Sequence, residues 1–192
     1  MVSVAIIMVM ESIVVYGQAK YSETTLLNST VSNLSLAVRS AQVYGVSVKE
    51  FAPGSNEFSA GYGLEFNMLT ASMKTGYISF ADRGTRNGVY DSQDFSCPKG
   101  GSSECIEKTL LPPGYLLSNI CEISTNNTEN CSVGRLAITF VRPGTDAHMV
   151  FFDLLGGLDS FSSVKGARVT IVSPSGQSKS VIVYITGQIS IQ

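Results

Sequence analysis

Four cysteines are the residues of this 192-residue chain whose chemistry follows most directly from spacing: Cys97, Cys105, Cys121 and Cys131. None belongs to a Cys-x-x-Cys pair, and the single histidine, His148, lies apart from them, which disfavours a structural zinc site. An even number of cysteines in a short segment predicts two disulfides and an oxidising compartment outside the cytoplasm. Of three possible connectivities, the shortest loops favour Cys97–Cys105 with Cys121–Cys131. Four reduced, partly buried thiols are the alternative.

Oxygen-bearing side chains gather in the segment FADRGTRNGVYDSQD. Four of them, Asp82, Asn87, Asp91 and Asp94, are candidate calcium ligands. The spacing fails the EF-hand pattern, and two arginines intervene. A β-hairpin with a type I′ turn at Asn87-Gly88 explains most of the segment, so calcium is the weaker alternative. No cofactor is predicted.

His148 is the remaining candidate for catalysis, and it stands beside Asp146 in a β-prone run. The chain has no G-x-S-x-G elbow, and no nucleophile is evident as a partner for the imidazole. A lone histidine is far more often a surface residue than a catalyst. We therefore predict that the protein is not an enzyme, with an unrelated secreted enzyme as the alternative.

Five basic residues near the end of the chain could line a strip that binds DNA: Arg135, Arg142, Lys165, Arg168 and Lys179. The net charge of −2 supplies no general attraction to nucleic acid, and no aromatic platform accompanies the strip. Ordinary solvated surface is the favoured interpretation.

The elements that position these residues begin with an apolar segment, MVSVAIIMVMESIVVY, interrupted only by Ser3, Glu11 and Ser12. It is shorter than the roughly 20 residues of a bilayer-spanning helix, and it lacks the basic start and cleavage site of a secretory signal. Charged residues make up only 15 % of the chain, which indicates a membrane or a packed assembly. The residues predicted to face that membrane or assembly are Val2, Val4, Ile6, Ile7, Val9, Glu11, Ile13 and Val14.

Apolar residues next recur at helical spacing, in steps of four and three. The stripe that they form consists of Leu27, Val31, Leu34, Val38 and Ala41. Because no proline interrupts the run, we predict one long helix over residues 1–45. Its first half, 1–20, would face membrane or filament core, and its amphipathic half, 21–45, would pack on a globular domain. A signal peptide followed by a separate surface helix is the alternative.

Residues 46–192 show short β-prone runs between glycine, proline and asparagine turns. The runs ARVTIVS and SVIVYIT, joined by PSGQSK, predict a hairpin. The pattern therefore predicts an α+β fold in which a long N-terminal helix packs on a mostly antiparallel β-sheet domain. The predicted strands cover residues 63–66, 77–81, 115–123, 136–142, 149–154, 168–173, 180–186 and 188–191.

Two segments resemble the type IV pilin and type II secretion pseudopilin family. One is MVSVAII, which is similar to the run that follows the family's cleavage motif. The other comprises ITFVRPGTDAHMVFF and ARVTIVSPSGQSKSVIVYITGQISI, which resemble the C-terminal half of H-type minor pseudopilins and FimT-type minor pilins. Phe140, Gly144 and Gly187 occupy the corresponding turn positions. The resemblance implies a pilin-like fold.

The resemblance also implies a function, that of a structural subunit of a type IV pilus or a type II secretion pseudopilus. Its partners would be other pilin or pseudopilin subunits and inner-membrane lipid, with a single-pass anchor and a periplasmic or external globular domain. A tip subunit that binds DNA or a surface ligand is the alternative.

The family's cleavage and assembly motif, G-F-T-L-x-E-L, does not occur in the chain, and we expect it in a segment preceding Met1. Glu11 does not match the family's assembly glutamate. A carboxylate among packed helices needs a cationic partner, so Glu11 would pair with Lys20 or with another subunit, or would lie near the membrane interface.

Overall fold

The structure is a computed structural model that describes residues 2–47, 50–51, 60–92, 95–98, 100, 103–159 and 163–192. Within the first helix it describes the side chains at positions 8, 10, 11 and 18 and from 20 onward. This helix, α1, spans Val2–Val46. A short 3-10 helix, Met73–Thr75, follows the first strand. The strands are β1 (Gly61–Asn67), β2 (Gly76–Asp82), β3 (Cys105–Leu110), β4 (Leu116–Ser124), β5 (Glu129–Asn130), β6 (Val133–Phe140), β7 (Ala147–Asp153), β8 (Leu158–Asp159), β9 (Val164–Val172), β10 (Ser178–Tyr184) and β11 (Ile189–Ile191).

The strands form two antiparallel sheets. Sheet A has six strands in the order β3-β2-β1-β6-β7-β8, and sheet B has five in the order β11-β10-β9-β4-β5. In sheet A, Leu64 lies opposite Ile138 and Phe66 lies opposite Leu136. In sheet B, Val169 lies between Ile120 and Val181. Each sheet therefore turns an apolar row toward a common core.

The predicted fold class, a pilin-like α+β fold with a long helix packed on one antiparallel sheet domain, is wrong. The described chain is sheet-rich, with eleven strands in two sheets rather than a small sheet against a long helix. Alternation of apolar and polar residues shows which side chains face a core, but it does not show which strands pair. The periodicity of the sequence therefore could not predict the number of strands or the number of sheets.

The core lies where α1 meets both sheets. The five stripe residues, Leu27, Val31, Leu34, Val38 and Ala41, are all buried in it. They share one apolar cluster with side chains of sheet A, such as Phe66 and Ile138, and of sheet B, such as Leu117 and Val183. One helical stripe thus packs against two sheets, which explains why so narrow a stripe suffices for a domain of this size.

The opposite face of sheet A carries a second apolar layer. The segment between β2 and β3 crosses this outer face, and Tyr90, Phe95 and Cys97 pack there against Phe80 and other sheet residues. Tyr90 is buried, and its hydroxyl donates a hydrogen bond to the Ser96 carbonyl at 3.0 Å. Side chains beneath this segment, such as Ile78 and Ala137, are therefore shielded from water.

Two contacts fix the C-terminal end of α1 against the sheets. The Gln42 amide donates hydrogen bonds to the carbonyls of Thr145, at 3.2 Å, and Gly187, at 3.0 Å, in the β6–β7 and β10–β11 turns. Gly45 lies so close to the Phe140 backbone that a side chain there would collide with it. This end of the helix is thus tied to one turn of each sheet.

Candidate functional site

Among the described residues, the hydrogen bonds from α1 to the β domain begin at Glu23, and they define one end of the site. The Tyr115 hydroxyl donates to the Glu23 carbonyl at 2.9 Å, and the Ser175 amide donates to Glu23 Oε1 at 2.8 Å. One residue on, the Thr24 hydroxyl donates to Gln177 Oε1 at 2.9 Å. These groups lie at the start of β4 and in the β9–β10 turn.

Hydrogen bonds also set the charge state of Glu23. The Ser173 hydroxyl, then the backbone and hydroxyl of Ser175, hold the pKa of the Glu23 carboxyl below its ordinary value. The carboxylate is thus the form that caps the β9–β10 turn. Sequence reasoning missed this contact, because Glu23 precedes the apolar stripe and its partners are about 150 residues away.

Before Glu23 the helix continues to Val2. The described side chains of Met8, Met10, Glu11, Gln18 and Lys20 are exposed. In the part of the chain that the structure describes, no helix is both long and apolar enough to cross a membrane. The other predicted membrane or assembly residues have side chains outside the described set: Val2, Val4, Ile6, Ile7, Val9, Ile13 and Val14.

A buried ion pair lies on the outer face of sheet A. Arg135 on β6 donates through Nε to Glu65 Oε1 on β1, and both side chains are buried. The Arg135 guanidinium also donates to the Tyr90 carbonyl and lies 4.7 Å from the centre of the Phe152 ring. Burial raises the pKa of Glu65 to about 7, against the opposing attraction of Arg135.

Beside this pair, two more carboxylates organise the segment that covers sheet A. Glu104 accepts the Arg83 amide at 2.8 Å and the Asp91 amide at 2.9 Å, and Asp82 Oδ2 accepts the Gly88 amide at 2.9 Å. Burial raises the pKa of both Glu104 and Asp82. These acids use their oxygens to hold loop backbone, which is a structural role.

The predicted calcium ligands lie in this loop. Asn87 Nδ2 donates to Asp91 Oδ1 at 2.9 Å, and Asp82 accepts a hydrogen bond from the Gly88 amide. Asp94 lies outside the described residues. The predicted hairpin at Asn87-Gly88 does not form, since the described residues between β2 and β3 contain no strand. These oxygens hold the backbone and side chains of the turns, and calcium binding stays the weaker alternative.

The predicted basic strip is dispersed by the fold. Arg135 is buried beneath the loop on sheet A, so it cannot contact a surface ligand. On sheet B, Arg168 is paired with Glu129 at 2.6 Å, and the Lys165 ammonium donates to Asn127 at 2.6 Å. The two other members, Arg142 and Lys179, lie in the β6–β7 turn and on β10. The five cations therefore do not form one strip.

His148 is exposed on β7, and its ring lies over Gly88. Asp82 also lies near the imidazole, although burial is the main influence on its carboxyl and raises its pKa. The described neighbours of His148 are Gly88, Asp82 and Thr139, and the Thr139 hydroxyl donates to the His148 carbonyl at 3.4 Å rather than to the ring.

The disulfide pairing Cys97–Cys105 and Cys121–Cys131 is confirmed. Among the described residues, the one group of possible metal ligands is Cys121, Glu129 and Cys131. Its two sulfurs are bonded to each other, and Glu129 is paired with Arg168. This cluster is therefore a cross-link between β4 and the residue that follows β5 rather than a metal site.

A groove of about 360 Å³ runs between α1 and the inner faces of β2 and β3. Tyr44, Tyr62 and Tyr77 contribute aromatic surface, and Glu107 and Thr109 contribute polar groups. The groove exists because α1 covers β1 and β6 but leaves the β3 side of sheet A open.

Comparison with known protein families, with curated proteins and with solved structures finds no match to the chain. The geometry described above therefore carries the functional argument alone.

Proposed function

We propose that the protein is a non-enzymatic structural subunit of an extracytoplasmic filament, of the type IV pilus or type II secretion pseudopilus kind. The start of α1 is held by the inner membrane and then packs with the helices of other subunits. The β domain faces outward and contributes the contacts between neighbours. The proposal rests on the arrangement of the helix and is independent of the fold class.

One observation carries the proposal: α1 continues for about 30 Å, at 1.5 Å per residue, from Glu23, where its described hydrogen bonds to the β domain begin, back to Val2. Most of the stability of a helix in a protein comes from packing of its apolar face rather than from intrinsic propensity, so this segment needs a surface to pack against. Its sequence is largely apolar, so the partner that stabilises it must itself be apolar. Lipid and the helices of other subunits both meet this requirement.

The disulfides support an extracytoplasmic location for the β domain. Both cross-links join residues of that domain, and cytosolic thiols are normally kept reduced. The alternative of a DNA-binding subunit lacks support of this kind, because Arg135 is buried and Arg168 is paired with Glu129.

The experiment uses the absence of free cysteines among the described residues, which leaves an introduced cysteine as the reactive thiol. Met10→Cys places it on the projecting helix, and Val141→Cys is a matched control in the β6–β7 turn. Mild oxidation of membranes from cells that express the full chain should give a covalent dimer with Met10→Cys and far less with Val141→Cys. A monomer in both variants would contradict helix-mediated assembly.

A further inference from the structure

Four leucines that a soluble domain would normally bury are exposed around the β7–β8 turn. Leu155 is 95 % exposed, Leu158 72 %, Leu154 61 % and Leu69 37 %. The Leu69 side chain extends across Gly134 and Gly156, which brings it beside the Leu154 backbone. These four residues, here called the leucine tip, lie at or beside the β7–β8 turn, and exposed apolar side chains gathered in this way usually mark a contact site.

Hydrogen bonds within the turn hold the leucines outward. Asp153 Oδ1 accepts the amides of Leu155 and Gly157, each at 2.8 Å. The Asp153 carbonyl accepts the Gly156 amide at 3.1 Å, and Gly156 adopts a positive φ of 85°. Because Asp153 satisfies the turn backbone, the leucines can project without exposing unpaired amides.

The leucine tip lies at the end of the β domain from which α1 projects. Tyr115, which contacts Glu23, lies in the same short segment before β4 as Leu111. The Leu111 amide in turn donates to the Thr75 carbonyl at 2.8 Å. Thr75 and Leu69 both lie in the connection between β1 and β2. The turns that contact Gln42 lie at the opposite ends of the strands. The tip and the projecting helix therefore face the same direction.

We propose that the leucine tip is a lipid-contact surface that inserts at the boundary between headgroups and acyl chains of the bilayer holding the start of α1. The inference deepens the proposed function and rests on its membrane-held state. Leucines presented on a turn gain free energy by leaving water for this boundary, as the apolar face of an interfacial helix does.

Charge indicates the kind of lipid. The segment from Asp153 to Asp159 contains two acids and no lysine or arginine. An anionic headgroup would be repelled, so the surface suits zwitterionic lipid such as phosphatidylcholine.

The test uses tryptophan fluorescence, because the chain contains no tryptophan. Leu155→Trp puts one reporter on the leucine tip, Val141→Trp puts a control at the opposite end, and Met10→Trp reports on the projecting helix. Each full-length variant is reconstituted in phosphatidylcholine vesicles with brominated acyl chains. Emission from Leu155→Trp and Met10→Trp should move to shorter wavelength and be quenched, and emission from Val141→Trp should not change.

A second variant tests the energetics without a reporter. Leu154→Ser/Leu155→Ser should lower the partition coefficient of the full chain into phosphatidylcholine vesicles roughly tenfold. Val141→Ser should leave the coefficient unchanged.

The outcomes separate the two proposals. Quenching of Met10→Trp without quenching of Leu155→Trp would overturn the lipid-contact surface and leave the proposed function intact. Quenching of neither would contradict the membrane-held helix and, with it, this inference. A shift of Leu155→Trp emission that rises with protein concentration in the absence of vesicles would assign the tip to contact between copies of the chain, and would overturn the lipid proposal.

Discussion

Glu65 and Arg135 form an ion pair across adjacent strands of sheet A, on the face that a two-residue period would assign to solvent. The segment between β2 and β3 covers them, and the Tyr90 carbonyl accepts a further hydrogen bond from the guanidinium. Glu65 Oε2 has no hydrogen-bond partner among the described residues. A pair in this setting is sensitive to the loss of either member, since the survivor would be a buried charge.

We expect Arg135→Met to destabilise the protein by about 3–5 kcal/mol at pH 8, because Glu65 would then be buried without its cation. Urea unfolding monitored by circular dichroism measures the change. The double variant Glu65→Leu/Arg135→Met should recover most of the loss. A single variant within about 1 kcal/mol of wild type would show that the pair is not a buried unit.

The raised pKa of Glu65 predicts a pH dependence of stability. The folded-state pKa is about 7 and the ordinary value is 4.5, so the folded state binds the proton more tightly. The resulting stabilisation is fully present below pH 4.5 and is lost as pH rises through about 7. It amounts to at most about 3 kcal/mol.

Glu65→Gln should flatten this part of the stability profile, measured as the free energy of unfolding at pH 5 and pH 8. Glu107→Gln, on exposed strand β3, is the matched control and should keep the wild-type slope. If both variants keep it, Glu65 does not titrate in this range.

The contact between Gly45 and Phe140 predicts a steric effect. Gly45→Ala should lower the free energy of unfolding by about 1–3 kcal/mol, although alanine favours helix, because its methyl group would meet the Phe140 backbone. Gly144→Ala is the control, since its nearest neighbour would be 3.7 Å away. Equal thermal stability of the two variants would contradict the close approach.

The two disulfides should contribute similarly to stability but differently to the resistance of the β2–β3 segment to trypsin. Removing either by paired Cys→Ser substitution should cost about 2–3 kcal/mol, since the sequence separations, 8 and 10, are similar. Only Cys97→Ser/Cys105→Ser should speed tryptic cleavage at Arg86, because that bond closes the loop over sheet A. Similar cleavage at Arg86 in Cys121→Ser/Cys131→Ser would show that the loop does not depend on its own disulfide.

The Glu23 contact predicts a local effect at the β9–β10 turn. Glu23→Ala should speed hydrogen exchange of the Ser175 amide at pH 7, and Lys20→Ala should not. Because the pKa of Glu23 is lowered, the stabilisation is present above 4.5 and is lost as pH falls through the folded-state value. Unchanged exchange in Glu23→Ala would show that the turn holds without the carboxylate.

Local spacing was enough to predict several features of this fold. The shortest-loop argument identified both disulfides, which form between chain neighbours. The stripe from Leu27 to Ala41 is buried because a helix with one apolar face must cover it. The hairpin around PSGQSK appears as β9 and β10, since its turn residues separate two β-branched runs.

Features that depend on distant segments were not predictable in this way. Strand β3 carries the adjacent charged residues Glu107 and Lys108 between Ile106 and Thr109, and it forms because it can pair with β2 at the sheet edge. Glu65 is buried because a loop from another part of the chain covers it, and its own strand carries no sign of this. The division into two sheets and the role of Glu23 likewise arise from pairing between remote residues.

The hydrogen bonds of Glu23 and Gln42 to the β domain, here called the two ties, lie at opposite ends of the packed half of α1, and the buried stripe lies between them. A pulling force applied to the projecting part of the helix would act along this axis. It would load both ties and the whole stripe at the same time, in shear, instead of peeling the contacts apart in succession. The β domain is therefore attached to its helix in the geometry that resists tension best.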